Sequence, residues 1–262
     1  MTLASRRLIE RAPDGRLFNS YVICLRGGRR YCHRKLYAFE HRRIECGNQF
    51  TGFDTAWGMR IGILIGSDNY LIENVRMTAL MGATLLVAPH RRYGVGHGSD
   101  CRIQSVSTKH GLREDSARRV ASASADDDRG DAGWLRRWLP ARAGDNGMFV
   151  AFSDGVDVCN EGECATDAAM ILDPCGRILA DSTSASGASA IISADLDSGL
   201  IDQSVGRKWL MGRRPGLYGP LTQSVDSTSA MSRTSRAMAG GSVALSFAVV
   251  GRDRLIRERD VR

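Results

Sequence analysis

The stretch of sequence that decides the fold covers residues 59–76 and reads MRIGILIGSDNYLIENVR. Its first part, Met59–Ile65, is a largely apolar run whose length suits a strand that is buried on both faces. Gly66 and Ser67 interrupt this run, and from Leu71 onward the apolar residues recur at helical spacing. We therefore predict a buried strand, a tight elbow and an amphipathic helix.

The chain continues from this helix into a second apolar run. Gly82 suits a helix C-cap, and Thr84–Ala88 reads as a strand that Pro89 closes. Strand, helix and strand within about 30 residues form a βαβ unit, which requires a parallel or mixed sheet. A helix is predicted to end before Pro140, with a short helical turn at residues 141–146. Further strands are predicted at residues 19–26, 29–35, 50–54, 147–153, 168–172, 177–180 and 188–196.

Length and composition indicate one domain and exclude several kinds of partner. A chain of 262 residues that is 43% hydrophobic can bury one sizeable core. It has no run of about 18 apolar residues and no signal-peptide pattern at its start, so we expect no membrane partner and a cytoplasmic location. The formal charge is +7, but the basic residues are mostly scattered arginines without interleaved aromatic residues. A nucleic-acid partner is therefore not expected.

The cysteines do not form a recognisable metal or disulfide framework. Their number is odd, no Cys-x-x-Cys pair occurs, and no histidine cluster completes a zinc site. We expect reduced, mostly structural thiols and no metal. The seven cysteines are Cys24, Cys32, Cys46, Cys101, Cys159, Cys164 and Cys175.

The stretch at residues 59–76 resembles the nucleophile elbow of the nitrilase (carbon–nitrogen hydrolase) superfamily. The family pattern is Leu-Ile-Cys-Tyr-Asp-x-x-x-x-Glu-x-x-Arg. Gly66 stands where the family has its catalytic cysteine, and Ser67 stands where it often has tyrosine. The chain keeps the pattern at Leu64, Ile65, Asp68, Glu73 and Arg76.

Other stretches resemble the same family in the family's order, from residue 8 to about residue 218. Asp68–Asn69 and Trp138–Arg142 are most similar to the nitrile- or aliphatic-amide-hydrolysing branch. The resemblance implies an α/β fold, the α-β-β-α sandwich of the nitrilase superfamily. The stretches that carry it are residues 8–20, 31–36, 79–90, 142–146 and 173–180.

The resemblance also implies a Cys-Glu-Lys catalytic set that hydrolyses a nitrile or amide without a cofactor. Lys35 matches the lysine that stabilises the charge of the tetrahedral intermediate. Glu40 matches a glutamate that orients this lysine or the attacking water. The backbone N–H of Ser67 is expected to point into the oxyanion hole, and Gly66 marks the nucleophile position without a side chain.

Other residues near these motifs are expected to support the fold or to substitute for the missing thiol. Glu73 and Arg76 have the i, i+3 spacing of a structural ion pair, and Arg142 and Asn146 are expected to support the fold. His90 and His97 are expected to be ordinary loop histidines. The Ser67 hydroxyl and the Cys46 thiol are the alternative nucleophiles, but Ser67 is one position out of register and Cys46 lies in a loop.

The chain departs from the family pattern in three regions besides the elbow. The family's first strand and first glutamate precede the point where this sequence starts, so we expect a sandwich that is incomplete at its N-terminus. Residues 91–133 lose the pattern and read as an irregular or disordered insert. Residues 222–262 lose it again, which makes residues 1–221 the expected carbon–nitrogen hydrolase domain. A frameshifted reading is one hypothesis for both regions.

Three functions follow from these observations. The first is a carbon–nitrogen hydrolase by descent, impaired because Gly66 replaces the nucleophile, with a small nitrile or amide as the ancestral substrate. The second is a non-catalytic binding or assembly remnant. The third is a degraded gene product. The resemblance implies a homo-oligomer in the first two cases.

Overall fold

The computed structural model describes residues 3–38, 41–90, 131–154, 169–182 and 191–223, with the side chains of residues 3–4 and 131–135 left out. The helices are α1 (Ile72–Leu80), α2 (Asp131–Asn146), α3 (Gly199–Gln203) and α4 (Val205–Met211). The strands are β1 (Leu3–Arg11), β2 (Leu17–Leu25), β3 (Arg30–Arg34), β4 (Ile44–Glu45), β5 (Thr51–Asp54), β6 (Arg60–Ile63), β7 (Leu85–Pro89), β8 (Phe149–Ser153), β9 (Ala169–Leu172) and β10 (Ile178–Asp181).

The strands form a six-stranded sheet and a four-stranded sheet. The larger sheet has the order β10-β9-β8-β7-β6-β5, in which β6, β7 and β8 run parallel and the outer pairings are antiparallel. The smaller sheet pairs β2 with β1 and β3 in antiparallel fashion and with β4 in parallel. The predicted mixed sheet and the predicted β6–α1–β7 unit are both confirmed.

The two sheets pack face to face through alternate residues of their strands. Tyr21 and Ile23 of β2 lie in one apolar cluster with Phe53, Ile61 and Ile63 of the larger sheet. Side chains on one face of a strand recur every second residue, which places these residues on the inner faces of the two sheets. Each fully buried isoleucine contributes about 2 kcal/mol of hydrophobic stabilisation.

The helices cover the opposite face of the larger sheet. Val75 and Ala79 of α1 pack with Leu139 and Ala143 of α2 in a second cluster, against residues of β7, β8 and β9. Gly62 in β6 permits the close approach of α1, since a Cβ atom there would collide with the methyl group of Thr78. The described residues thus contain both sheets and one helical layer of the predicted α/β sandwich.

Two sequence predictions about local structure are wrong. Helix α2 runs through Pro140 as one helix instead of ending before it. Leu139 and Ala143 are fully buried beside Pro140, and this burial offsets the cost of about 3 kcal/mol that a proline imposes on a helix interior. Residues 191–196 form no strand, and the side chain of Ile191 is 100% exposed, so burial does not stabilise an extended segment there.

The predicted domain limits concern the insert at residues 91–133 and the tail at residues 222–262. Among the described residues, those up to Arg214 belong to one compact unit, and residues 215–223 belong to a second and have 3-10 turns at Pro215–Leu217 and Gly219–Thr222. The predicted insert at residues 91–133 and the predicted tail at residues 222–262 lie almost wholly outside the described residues, so both stay predictions. Within the described residues, no helix is long and apolar enough to cross a membrane.

Candidate active site

The predicted elbow lies at the carboxyl end of β6. After Ile63 the chain continues through Leu64 and Ile65 and enters a 3-10 turn at Gly66–Asn69. Gly66 has a φ of +54°, in the left-handed region that costs other residues about 1–2 kcal/mol. Because sites in parallel sheets lie beyond the carboxyl ends of the strands, this elbow occupies the expected position for chemistry.

Side-chain hydrogen bonds hold the elbow in shape. The Asn69 Nδ2 donates to the carbonyl oxygens of Leu64 at 2.9 Å and Gly66 at 3.1 Å. The Asn74 Nδ2 donates to the Asp68 carbonyl oxygen at 3.0 Å. Asn69 and Asn74 are buried, so these bonds satisfy carbonyl groups that are not available to water.

Arg142 holds the next part of the elbow from α2. Its Nε donates to the Asn69 carbonyl oxygen at 3.3 Å, and its Nη2 donates to the Tyr70 carbonyl oxygen at 3.0 Å. Burial lowers the pKa of the Arg142 guanidinium below its ordinary value, while the nearby carboxylates of Asp145 and Glu73 act in the opposite direction. Arg142 therefore attaches α2 to the elbow.

Lys35 lies directly against Gly66. A Cβ atom added at Gly66 would be 3.5 Å from the Lys35 Nζ and 3.7 Å from its Cε, with no other described atom beyond its chain neighbours within 4 Å. These are ordinary van der Waals distances, so a side chain at position 66 fits beside the amine. Lys35 is only 7% exposed. The structure thus brings together the two positions that the sequence assigns to the nucleophile and the lysine.

Asp68 and Ser67 connect the elbow to the chain that follows Lys35. The buried Asp68 carboxylate accepts hydrogen bonds from the backbone N–H groups of Leu36 at 3.0 Å and Tyr37 at 2.9 Å, and from that of Ile65 at 3.3 Å. The Ser67 Oγ donates to the Tyr37 carbonyl oxygen at 3.2 Å. The hydroxyl considered as an alternative nucleophile is therefore engaged in a hydrogen bond to the backbone.

A buried histidine that the sequence did not predict as a site residue, His33, lies next to Asp68. The His33 Nε2 lies 3.7 Å from the Asp68 Oδ2, and both side chains are fully buried. The His33 Nδ1 is 3.0 Å from the Thr51 Oγ1. His33 and Lys35 are two residues apart at the end of β3, so the alternation of strand residues was the signal that could have placed both on one face.

The other predicted site residues are placed as follows. Glu40 lies outside the described residues, so its role stays a prediction. Glu73 is exposed and Arg76 is half-buried on α1, and their predicted ion pair also stays a prediction. The Asn146 Nδ2 donates to the Arg142 carbonyl oxygen at 2.8 Å within α2. The Cys46 thiol is exposed and does not lie within 4 Å of the added Cβ atom at Gly66.

His90 is not the ordinary loop histidine that was expected. It directly follows β7, is buried, and its Nε2 is 3.0 Å from the Tyr70 hydroxyl. Its ring lies 5.5 Å from the Phe152 ring, and the Tyr70 ring lies edge-on to Trp138 at 5.4 Å. These residues form an aromatic cluster at the same edge of the sheet as Gly66. His97 lies outside the described residues.

Solved structures show the same α/β sandwich fold. Saccharomyces cerevisiae Nit3, a member of branch 10 of the nitrilase superfamily, is 22% identical with a TM-score of 0.54, covering 75% of this chain and 60% of its own. A carbon–nitrogen hydrolase from Helicobacter pylori is 19% identical with a TM-score of 0.61, covering 85% and 71%. A cysteine-to-alanine mutant of the Nesterenkonia AN1 amidase is 16% identical with a TM-score of 0.55, covering 82% and 66%.

Sequence comparison identifies the family. Residues 2–204 match the family model described as "Carbon-nitrogen hydrolase". No curated protein sequence matches the chain. The family match covers more than half of the 262 residues, so the chain belongs to the carbon–nitrogen hydrolase family. The chain spans about three fifths of the length of Nit3.

Proposed function

We propose that this protein has the scaffold of a nitrile or amide hydrolase and that its catalysis is impaired because Gly66 occupies the nucleophile position. One observation carries the proposal. The direction in which a side chain would leave residue 66 points at the buried Lys35 amine, at 3.5 Å from the Cβ position. A cysteine at position 66 would place its thiol beside the Lys35 amine, and glycine has only a hydrogen atom there.

The chemistry explains why this single replacement matters. Nitrile and amide carbons are weak electrophiles, so hydrolysis needs a deprotonated nucleophile next to a group that stabilises the developing negative charge. The Lys35 ammonium and the Ser67 N–H supply the second function in our proposal, and Glu40 orients the lysine or the water. Glycine supplies no nucleophile. Loss of one member of such a set lowers the rate by a factor on the order of 10⁴ to 10⁶.

An ammonia-release assay tests the proposal. The unaltered protein is incubated with a panel of small nitriles and aliphatic amides, beside Gly66→Cys and the matched control Gly66→Ala. The control introduces the same Cβ atom and the same backbone strain without the thiol. We expect ammonia release above background in Gly66→Cys alone. Turnover by the unaltered protein, with a covalent acyl adduct in its intact mass, would overturn the assignment of Gly66.

A second candidate is a non-catalytic binding or assembly protein with the homo-oligomeric organisation expected from the family resemblance. The intact elbow favours it, because Asp68, Asn69 and Asn74 keep their hydrogen bonds although the position they surround lacks a nucleophile. Light scattering combined with urea denaturation tests this candidate. A defined oligomer with one cooperative transition supports it, and a monomer that unfolds without cooperativity would instead indicate a degraded gene product.

A further inference from the structure

We propose that Ser67 and Asp68 are positioning residues that hold Lys35 beside position 66. We call their three hydrogen bonds to the backbone of Leu36 and Tyr37 the clamp. The proposal rests on the proposed function only in taking Lys35 as the functional amine. It assigns the two residues that follow the nucleophile position a role in placing the lysine.

The clamp begins where the regular hydrogen bonding of β3 stops. Strand β3 ends at Arg34, and Lys35 is still attached to its own sheet, since its N–H donates to the Asn19 carbonyl oxygen at 2.8 Å and its carbonyl accepts from the Gly47 N–H at 2.7 Å. The next two N–H groups, of Leu36 and Tyr37, instead donate to Asp68. The clamp therefore joins the end of the smaller sheet to the elbow of the larger sheet.

The chemistry of Asp68 makes these bonds strong. Its carboxylate is fully buried and accepts three backbone N–H groups at 2.9 to 3.3 Å. Hydrogen bonds to a charged group are about twice as strong as neutral ones. The His33 Nε2 lies 3.7 Å from Asp68 on the far side, with its Nδ1 occupied by the Thr51 hydroxyl. Asp68 is thus held by the segment Leu36–Tyr37, by Ile65 of its own elbow and by His33 of β3.

The consequence concerns the lysine side chain. Lys35 ends in an ammonium on a flexible four-carbon stem, and fixing its backbone limits where that group can go. The third hydrogen bond of the clamp, from the Ser67 Oγ to the Tyr37 carbonyl oxygen, holds the same segment through a second residue of the elbow. Breaking the clamp should therefore release Lys35 from position 66 while the core of the larger sheet stays packed.

Lysine acetylation read by peptide mass tests this directly, because the chain has only three lysines, Lys35, Lys109 and Lys208. Lys208 is exposed and serves as the internal reference. In the unaltered protein we expect Lys35 to react at least about tenfold more slowly than Lys208, because it reacts only in locally opened molecules. Asp68→Asn should raise the Lys35 rate about tenfold, because a carboxamide cannot accept from both N–H groups as a carboxylate does.

Asp173→Asn is the matched control. Asp173 is an equally buried carboxylate that accepts the N–H groups of Cys175 at 2.8 Å and Arg177 at 2.9 Å, and none of the hydrogen bonds described for it involves the segment after Lys35. The substitution removes the Oδ2 acceptor that binds the Arg177 Nε at 2.6 Å, so it should lower overall stability while the ratio of Lys35 to Lys208 reactivity stays within about twofold. Equal rises in both variants would show that only global unfolding is being measured, which would overturn the proposal.

Ser67→Ala keeps the proposal testable if Asp68→Asn does not fold. It removes one neutral hydrogen bond and should raise Lys35 reactivity about twofold to fourfold. When added to Gly66→Cys, it should also raise the pH at which the introduced thiol becomes alkylated, because the ammonium is held less closely beside the thiolate. Unchanged Lys35 reactivity in every folded clamp variant would overturn the proposal. That result does not depend on ammonia release, so it is distinct from a failure of the proposed function.

Discussion

The elbow at Asp68 and the hairpin turn at Asp173 are both held by a buried aspartate, but the two aspartates connect different parts of the chain. Each has a fully buried carboxylate that accepts backbone N–H groups, three at Asp68 and two at Asp173. Asp173 bonds to residues two and four positions ahead and closes its own turn. Asp68 accepts one local N–H group, that of Ile65, and two from residues that precede it by more than thirty positions. The same chemistry therefore shapes one turn locally and joins two sheets at the other.

The glycines of the two turns differ in the space available for a side chain. Gly176 has a φ of +80°, and a Cβ atom there would lie 2.7 Å from the Pro140 carbonyl oxygen. Gly66 also has a positive φ, but its Cβ direction meets only Lys35 at van der Waals distance. Packing therefore requires glycine at position 176, whereas position 66 has room for a side chain.

Removal of the Asp68 carboxylate should produce the largest effect, and removal of the Asp173 carboxylate is its matched comparison. Asp68→Ala should lower the free energy of unfolding by about 4 kcal/mol, because it leaves three backbone N–H groups without an acceptor, one of them on the buried Ile65. Asp173→Ala should cost about 2 kcal/mol, since the Arg177 side chain, at 67% exposure, regains water. Urea denaturation measures both values. A larger loss for Asp173→Ala would break the comparison.

Gly176→Ala should fall between the two carboxylate variants in size. Its cost of about 3 kcal/mol combines the left-handed backbone of a non-glycine residue with the collision against the Pro140 carbonyl oxygen. Thermal or urea unfolding gives the value. A loss below about 1 kcal/mol, the cost of backbone strain alone, would show that α2 moves away easily and that the close approach is not required.

Gly66→Ala should lower the free energy of unfolding by only about 1 kcal/mol, because alanine is strained in the left-handed backbone conformation but meets no colliding atom. The measurement is urea denaturation beside Gly176→Ala under identical conditions. If the two alanine variants lose equal stability, position 66 does not accommodate a side chain. Position 66 could then not have carried a nucleophilic side chain in this backbone conformation.

Glu10 extends the comparison to a carboxylate that is partly exposed, and it should give the smallest effect. The Arg34 Nε donates to the Glu10 Oε2 at 3.0 Å, and this guanidinium lowers the pKa of Glu10 to about 2. Because the folded pKa lies below the ordinary value of 4.5, the stabilisation is present above about pH 4.5 and is lost as the pH falls toward 2.

Glu10→Gln should therefore remove only about 0.5 kcal/mol near neutral pH, because solvent screens this partly exposed pair. It should also flatten the dependence of stability on pH between about 4.5 and 2. Urea denaturation at several pH values checks this. An unchanged slope in that window would show that the Glu10–Arg34 pair does not stabilise the folded state.

The sequence predicts those parts of the molecule that depend on nearby residues. The turn at Asp173–Gly176 and the buried strand before Gly66 follow from local pattern, and both are present in the structure. Helix α2 through Pro140 does not follow from propensity, because its stability comes from burial against strands that are distant in sequence.

The candidate site is predictable only in part for the same reason. Lys35 and Gly66 were paired through the family resemblance, since no local pattern connects residues so far apart in sequence. The hydrogen bonds of Asp68 to Leu36 and Tyr37 depend on how two sheets meet, which no window of sequence contains. His33 was missed because a single histidine in a strand looks like a surface residue until its burial is known.

The central claim is that a side chain at position 66 faces the Lys35 amine. Alkylation of the introduced thiol in Gly66→Cys by iodoacetamide, followed by peptide mass against pH, tests it most directly. An adjacent ammonium favours the thiolate and lowers the pKa of the thiol. We expect the midpoint of the pH profile to rise by about one unit or more when Lys35→Met is added. Identical midpoints with and without Lys35 would contradict it.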